Sequence, residues 1–250
     1  MDLSKSQVDR LGERLRTGEV SDEDIQLLDA YRRSFSVPYA AVFSTLRDRL
    51  SLLPTGRPAK STQSIIDKLR RESVRLSQIQ DIAGCRVVVP DIPAQNSTTR
   101  AVSNAFGNVA VVDRRTRPSH GYRAVHVLVA VEGRQVEVQV RTTLQQRWAE
   151  LSEKLSDALG IAVKYGGGDQ EVHSLLMTAS TSIAQFEAID VSDFKLSWPA
   201  TFPGVPHFDF DLLPAARAAR EQVRSQLRAT LEEATSELSS IIQAYDALPD

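Results

Sequence analysis

Between residues 121 and 142 the rhythm of apolar and polar positions becomes strictly alternating. The stretch GYRAVHVLVAVEGRQVEVQVRT carries the two-residue period of a strand. Glu132-Gly133 interrupts it, which predicts a hairpin of strands 123–131 and 135–141. In the return strand Val136, Val138 and Val140 share one face, and Glu137, Gln139 and Arg141 share the other. The valines read as core. A carboxylate, an amide and a guanidinium in a row, next to a strand carrying Tyr122 and His126, suit a metal–phosphate site better than a solvent face.

Elsewhere the period is helical. Residues 4–50 read as helices: Val8, Leu11 and Leu15 share a face, and Ser21-Asp22-Glu23-Asp24 supplies a cap and an acidic first turn ahead of Ile25, Leu28 and Tyr31. Pro38 opens a further helix with Val42, Leu46 and Leu50 on one side, broken by Leu53-Pro54-Thr55-Gly56. The middle of the chain is mixed. Helix 63–75 is capped by Ser61 or Thr62; then come strand 85–89, helix 94–106, strand 108–112, the hairpin and helix 143–159. Gly166-Gly167-Gly168 is a break, 169–189 a helix, 190–214 an irregular connector, and 214–247 one long helix. The order predicts an α+β fold: a mixed sheet of four to five strands flanked by helices. Three stretches follow: an N-terminal helical segment (1–50), a central domain (51–168) and a C-terminal helical extension (169–250). The C-terminal helices are free to pack on the domain, on another subunit or on a partner.

Composition narrows the classes. A net charge of −2 excludes polyanion binding by bulk charge. The basic residues cluster instead, with Lys60, Lys68, Arg70, Arg71 and Arg75 in one segment and Arg114, Arg115, Arg117 and Arg123 in another. Such runs are either phosphate-binding patches or solvated helix faces. The single cysteine, Cys85, lies in a hydrophobic strand, so no disulfide forms within the chain and a cytoplasmic compartment is expected. MDLSKSQVDRLGERL has no apolar signal region, and no apolar run approaches a membrane span.

Several segments, in order, carry a resemblance. GYRAVH followed by VEVQVRT and a Trp-containing helix is similar to the synthetase domain of the RelA/SpoT alarmone enzymes. LSQIQDIAGCRVVV (76–89) resembles that family's Asp-x-x-Gly-x-Arg strand entry, and GRPAKSTQSIIDKL (56–69) its basic phosphate-binding segment. The resemblance spans roughly residues 50–165, and ordered motifs are far more specific than any single one. It implies a nucleotidyltransferase-like fold and ATP-dependent pyrophosphate transfer to a 3′-hydroxyl, with GDP or GTP as acceptor. Positioning and charge stabilisation would then carry the rate.

The resemblance assigns roles to residues. Asp81 and Glu137 are the catalytic carboxylates and hold Mg²⁺, with Glu137 also helping to activate the acceptor hydroxyl; a hard cation takes one or two carboxylates and completes its shell with phosphate and water. Without it, Asp81 reads as a turn cap and Glu137 as an exposed strand residue. Arg57, Lys60, Ser64, Lys68 and Arg86 are the ATP contacts. Arg57-Pro58-Ala59-Lys60 has one residue more between arginine and lysine than the family pattern. Tyr122 is the platform on which the acceptor purine stacks, or else a tyrosine packing locally. Arg123, His126, Gln139 and Arg141 complete the acceptor side, where Arg141 either binds phosphate or orients Glu137. Trp148 reads first as core.

The four histidines, at 120, 126, 173 and 207, form no paired His-Asp signature, so the hydrolase domain of the long family members is not expected. The chain resembles a small, synthetase-only member. A second reading keeps the chemistry and changes the acceptor: some small members are toxins that modify the 3′ CCA end of tRNA and are neutralised by an antitoxin. A third is a domain that binds nucleotide or RNA without catalysis. Expected partners are ATP, GDP/GTP or tRNA, an antitoxin in the second reading, and a second copy through the C-terminal helices; no membrane is expected.

Overall fold

The computed structural model describes residues 3–160 and 163–191, with isolated helical residues between 218 and 236. The expected connector 190–214 and most of the expected helix 214–247 therefore lie outside the described residues.

Three helices lead. In α1 (Lys5–Thr17) the Ser4 hydroxyl accepts from the Gln7 N–H and the Gln7 side chain accepts from the Ser4 N–H, so a reciprocal box closes the first turn. α2 (Asp22–Arg33) is capped by Ser21 and carries Asp22, Glu23 and Asp24 in its first turn. α3 (Ser36–Ser44) begins two residues before Pro38 and widens into a π-helical turn at Thr45–Arg49. Val8, Leu11 and Leu15, on the face expected of them, pack with Leu28, Tyr31 and Phe35 and with Ile65 and Leu69 of α4 (Thr62–Arg71) into one buried cluster.

The sheet has five strands in the order β1-β2-β5-β4-β3. They are β1 (Thr55–Arg57), β2 (Ala83–Val89), β3 (Val109–Asp113), β4 (Val125–Val131) and β5 (Arg134–Thr142). The predicted hairpin is present, with β4 antiparallel to β5 in a register that places His126 opposite Gln139 and Leu128 opposite Glu137. Val136, Val138 and Val140 are fully buried. Helices α5 (Ile92–Ala105), α6 (Thr143–Leu159) and α7 (Gln170–Val191) complete the α+β arrangement, in agreement with the sequence reading.

Strand β1 is a difference. Two of its three residues, Thr55 and Gly56, fall in the stretch read as a break, because Leu53-Pro54-Thr55-Gly56 carries turn chemistry and three residues are too few to show alternation. It forms by pairing antiparallel with β2, Gly56 opposite Cys85. Gly56 is required there, since a Cβ would lie 1.7 Å from the Tyr39 hydroxyl. Helix α4 also ends at Arg71 rather than 75.

The chain forms two compact units from interleaved stretches. One comprises the described residues up to Val88, with Ser97–Val112 and Val125–Val140. The other comprises Val89–Asn96, Asp113–Ala124 and the described residues from Arg141 on. In the second, Leu144, Trp148, Leu151 and Leu155 of α6 pack with Leu176 and Ile183 of α7. Among the described residues no helix is long and apolar enough to cross a membrane.

Candidate active site

In the first unit Asp81 sits just ahead of β2 and meets two lysines. Lys60 Nζ lies 2.6 Å from Asp81 Oδ2 and Lys68 Nζ 3.1 Å from Oδ1. Lys60 is fixed by its backbone, whose N–H donates to the Ile82 carbonyl at 2.7 Å. Lys68 projects from α4, which starts cleanly because Ser61 accepts from the Ser64 N–H. Burial pushes the Asp81 carboxyl up, but the two ammonium groups outweigh it and hold the group at about 2. Two cations on one carboxylate leave an excess of positive charge, which is what a polyphosphate needs.

Glu137 is 5% exposed on β5. Its Oε1 lies 2.7 Å from His126 Nδ1, and its Oε2 accepts from Gln139 Nε2 at 2.6 Å. The contact with His126 is the diagonal one across an antiparallel pair, and Gln139 is two residues along the same strand face. Burial raises the Glu137 carboxyl, the hydrogen bond and charge of His126 and the bond from Gln139 lower it, and the charge of Asp81 raises it; the net direction is down. Both carboxylates are therefore ionised at neutral pH. Their donor chemistry fits Mg²⁺, which accepts two carboxylates and leaves positions for phosphate and water.

The glycine of the Asp-x-x-Gly-x-Arg segment has a steric cause. A Cβ on Gly84 would come within 2.8 Å of the Glu137 carbonyl oxygen. Gly84→Ala is therefore expected to push β5 off β2 at the residue carrying the buried carboxylate. We expect a loss of about 1–3 kcal/mol in stability, as for overpacked sites, which denaturant unfolding measures.

In the second unit the turn Gly121-Tyr122-Arg123 is held tightly. Gly121 adopts φ +85°, which favours glycine. The Tyr122 N–H donates to the Ser119 carbonyl at 2.9 Å. Arg141 Nη2 donates to the Tyr122 hydroxyl at 3.1 Å, and the guanidinium carbon lies 5.0 Å from the ring centroid. Arg141 Nη1 also donates to Gln146 Oε1 at 3.0 Å. Tyr122 is thus half-buried, packed against the α6–α7 cluster with a cation beside its ring.

The remaining expected residues are placed as follows. Arg57 lies on β1 opposite Gly84, and Arg86 on β2 opposite Thr55. Ser64 is engaged with the Ser61 cap, 2.7 Å between hydroxyls. Arg123 is committed internally: its Nε donates to Ser180 Oγ at 3.0 Å and its Nη1 to the Arg115 carbonyl. The sequence reading missed the polar cluster behind this turn. Gln95 Nε2 donates to Gln145 Oε1 at 2.8 Å, Gln145 Nε2 donates to Glu187 Oε2 at 2.9 Å, and Thr142 Oγ donates to Glu187 Oε1. The one local signal was Thr142-x-x-Gln145, a reciprocal capping box. Glu187 lies some forty residues away, and no local pattern announces it.

Residues 56–157 match the family model described as the region found in RelA / SpoT proteins. Uncharacterized proteins of Mycobacterium tuberculosis and Mycobacterium bovis are each 37% identical over 153 residues, covering 55% of this chain and 56% of the relative. The chain spans about half the length of the curated relatives it matches. Among solved structures, the small alarmone synthetase 1 from Bacillus subtilis is similar at 25% identity with a TM-score of 0.48, covering 68% of this chain and 95% of that one. The form of that synthetase bound to its product pppGpp gives 24% identity and a TM-score of 0.49, with the same coverage.

Proposed function

We propose that this protein transfers the β,γ-pyrophosphate of ATP to the 3′-hydroxyl of GDP or GTP. The observation that carries the reading is Asp81 clasped by Lys60 and Lys68 within a RelA/SpoT region. In the proposed roles, Lys60 and Lys68, with Arg57 and Arg86, receive the ATP phosphates. Asp81 and Glu137 hold Mg²⁺, which supplies charge neutralisation to the transferring phosphoryl oxygens. Glu137, kept anionic and aimed by His126 and Gln139, accepts the proton of the attacking hydroxyl. Tyr122 stacks on the acceptor base, and Arg141 keeps its ring in place.

A nucleotide acceptor is favoured over tRNA by the fate of the basic runs. Arg71 is 3.1 Å from Glu72, Arg75 3.8 Å from Asp9 and Arg115 2.6 Å from Asp113, while Arg123 serves Ser180. Part of the positive charge of the basic runs is thus paired within the chain and not offered to an RNA backbone.

The test offers γ-labelled ATP and Mg²⁺ with GDP, GTP, ATP or deacylated tRNA separately. Label in GDP or GTP is the expected result. Label in tRNA alone would establish a translation-blocking enzyme and retire our acceptor. No transfer at all by folded, ATP-bound protein would retire the activity. Tyr122→Ala is expected to raise the KM for the acceptor about 10- to 100-fold, the loss of one stacking contact, with ATP KM within about twofold. Equal losses for both substrates would argue against stacking.

A further inference from the structure

Helix α7 meets the Gly121-Tyr122-Arg123 turn through one buried face. Leu176, Ser180, Ile183 and Glu187 recur at helical spacing and are all buried. Two of the four are apolar and pack against α6. The other two are polar, and burying them costs free energy unless each is satisfied. Ser180 Oγ donates to the Gly121 carbonyl at 2.6 Å and accepts from Arg123 Nε at 3.0 Å. It therefore grips the residues on both sides of Tyr122. The Trp148 indole N–H donates to the Leu176 carbonyl at 2.8 Å, and a Cβ on Gly121 would come within 2.6 Å of the Trp148 ring. Glu187 accepts from Thr142 and Gln145 where β5 passes into α6, one residue beyond Arg141.

We propose that α7 is a clasp for the acceptor turn, and that Ser180 is a positioning residue that sets how Tyr122 presents its ring to a purine nucleotide. The ligand rests on the function proposed above; the clasp itself does not. An alanine at 180 would satisfy the packing of α7 on α6 equally well. What it would lose is both hydrogen bonds to the turn, leaving the Gly121 carbonyl and the Arg123 guanidinium without those partners. Tyr122 would keep its bond to Ser119 and its contact with Arg141, so the expected effect is loosened presentation rather than unfolding.

The experiment uses the full chain and Ser180→Ala. Amide hydrogen exchange over residues 119–124 is expected to accelerate about 10- to 100-fold, the loss of two buried hydrogen bonds, with exchange within 125–131 unchanged. The KM for GDP should rise about tenfold with ATP KM within about twofold. In a Tyr122→Ala background, Ser180→Ala should add nothing further to the GDP KM. Unchanged exchange at 119–124, equal loss for both substrates, or additive effects with Tyr122→Ala would each overturn the proposal. Ser180→Cys, which keeps the volume and weakens the donor, repeats the measurement if the alanine variant does not fold. Should the wild-type protein transfer to no acceptor, the proposed function fails and the exchange result still decides the clasp.

Discussion

Glu137→Gln is expected to remain folded and to lose pyrophosphate transfer by about a thousandfold, at the scale of removing a catalytic proton acceptor or a key charge. The substitution keeps the volume of a side chain that is 5% exposed. It also keeps one oxygen to accept from His126 or Gln139, and Gln139 can turn its own amide to meet the new NH₂. What disappears is the negative charge. The variant can neither ligate a cation as an anion nor accept the hydroxyl proton. Single-turnover transfer of label from ATP, paired with a thermal melt, measures both halves. Wild-type turnover would remove Glu137 from the mechanism, and an unfolded variant would point to a structural role for its charge.

Asp81→Asn should cost both activity and stability, with a pH signature that separates charge from shape. The carboxyl sits at about 2 rather than 3.8 because Lys60 and Lys68 outweigh its burial. A folded value below the unfolded one stabilises the protein above the unfolded value, and that stabilisation is lost as pH falls toward the folded one. At about 1.4 kcal/mol per tenfold change in proton affinity, and discounted for a side chain 27% exposed, the charge contributes about 1–2 kcal/mol at neutral pH. The gap between wild type and variant should therefore be full above pH 4 and close between pH 4 and 2. Urea unfolding at several pH values reads it directly. A gap that does not change with pH would show that the two lysines contribute little through charge. If the proposed roles hold, activity should fall by at least about a hundredfold, since Asp81 would then be both a ligand of the metal and the anchor of the two lysines proposed to bind phosphate.

These expectations rest on residues that differ in how readily the sequence reveals them. Glu137, Gln139 and Arg141 were visible because a strand alternates with a fixed period of two, and three polar residues opposite three valines break the usual pattern of an exposed face. The structure adds that this face is buried at Glu137 and Arg141; Glu137 is bonded to His126 and Gln139, and Arg141 to Tyr122 and Gln146. Asp81, Lys60 and Lys68 were each visible as motif residues, but their convergence on one another was not. Arg123, expected on the acceptor side, also bonds to Ser180 and the Arg115 carbonyl, partners that the sequence did not announce. Nothing in the spacing of a basic run distinguishes an arginine that reaches outward from one that ties a turn to a distant helix.

The sequence by itself determined the local elements and the face each one shows: the capped helices, the β4–β5 hairpin and the helix α6 that follows it. Those depend on period, capping and turn chemistry, which act over a few residues. Tertiary structure decided what required distant partners. The three-residue β1 exists because β2 offers it a ladder, and Gly84 is glycine because the Glu137 carbonyl lies against it. The Tyr122 turn is fastened by Ser180, fifty-eight positions further along the chain. Steric fit and buried hydrogen bonds between remote segments leave no periodic trace, and they become legible only once the chain has brought those segments together.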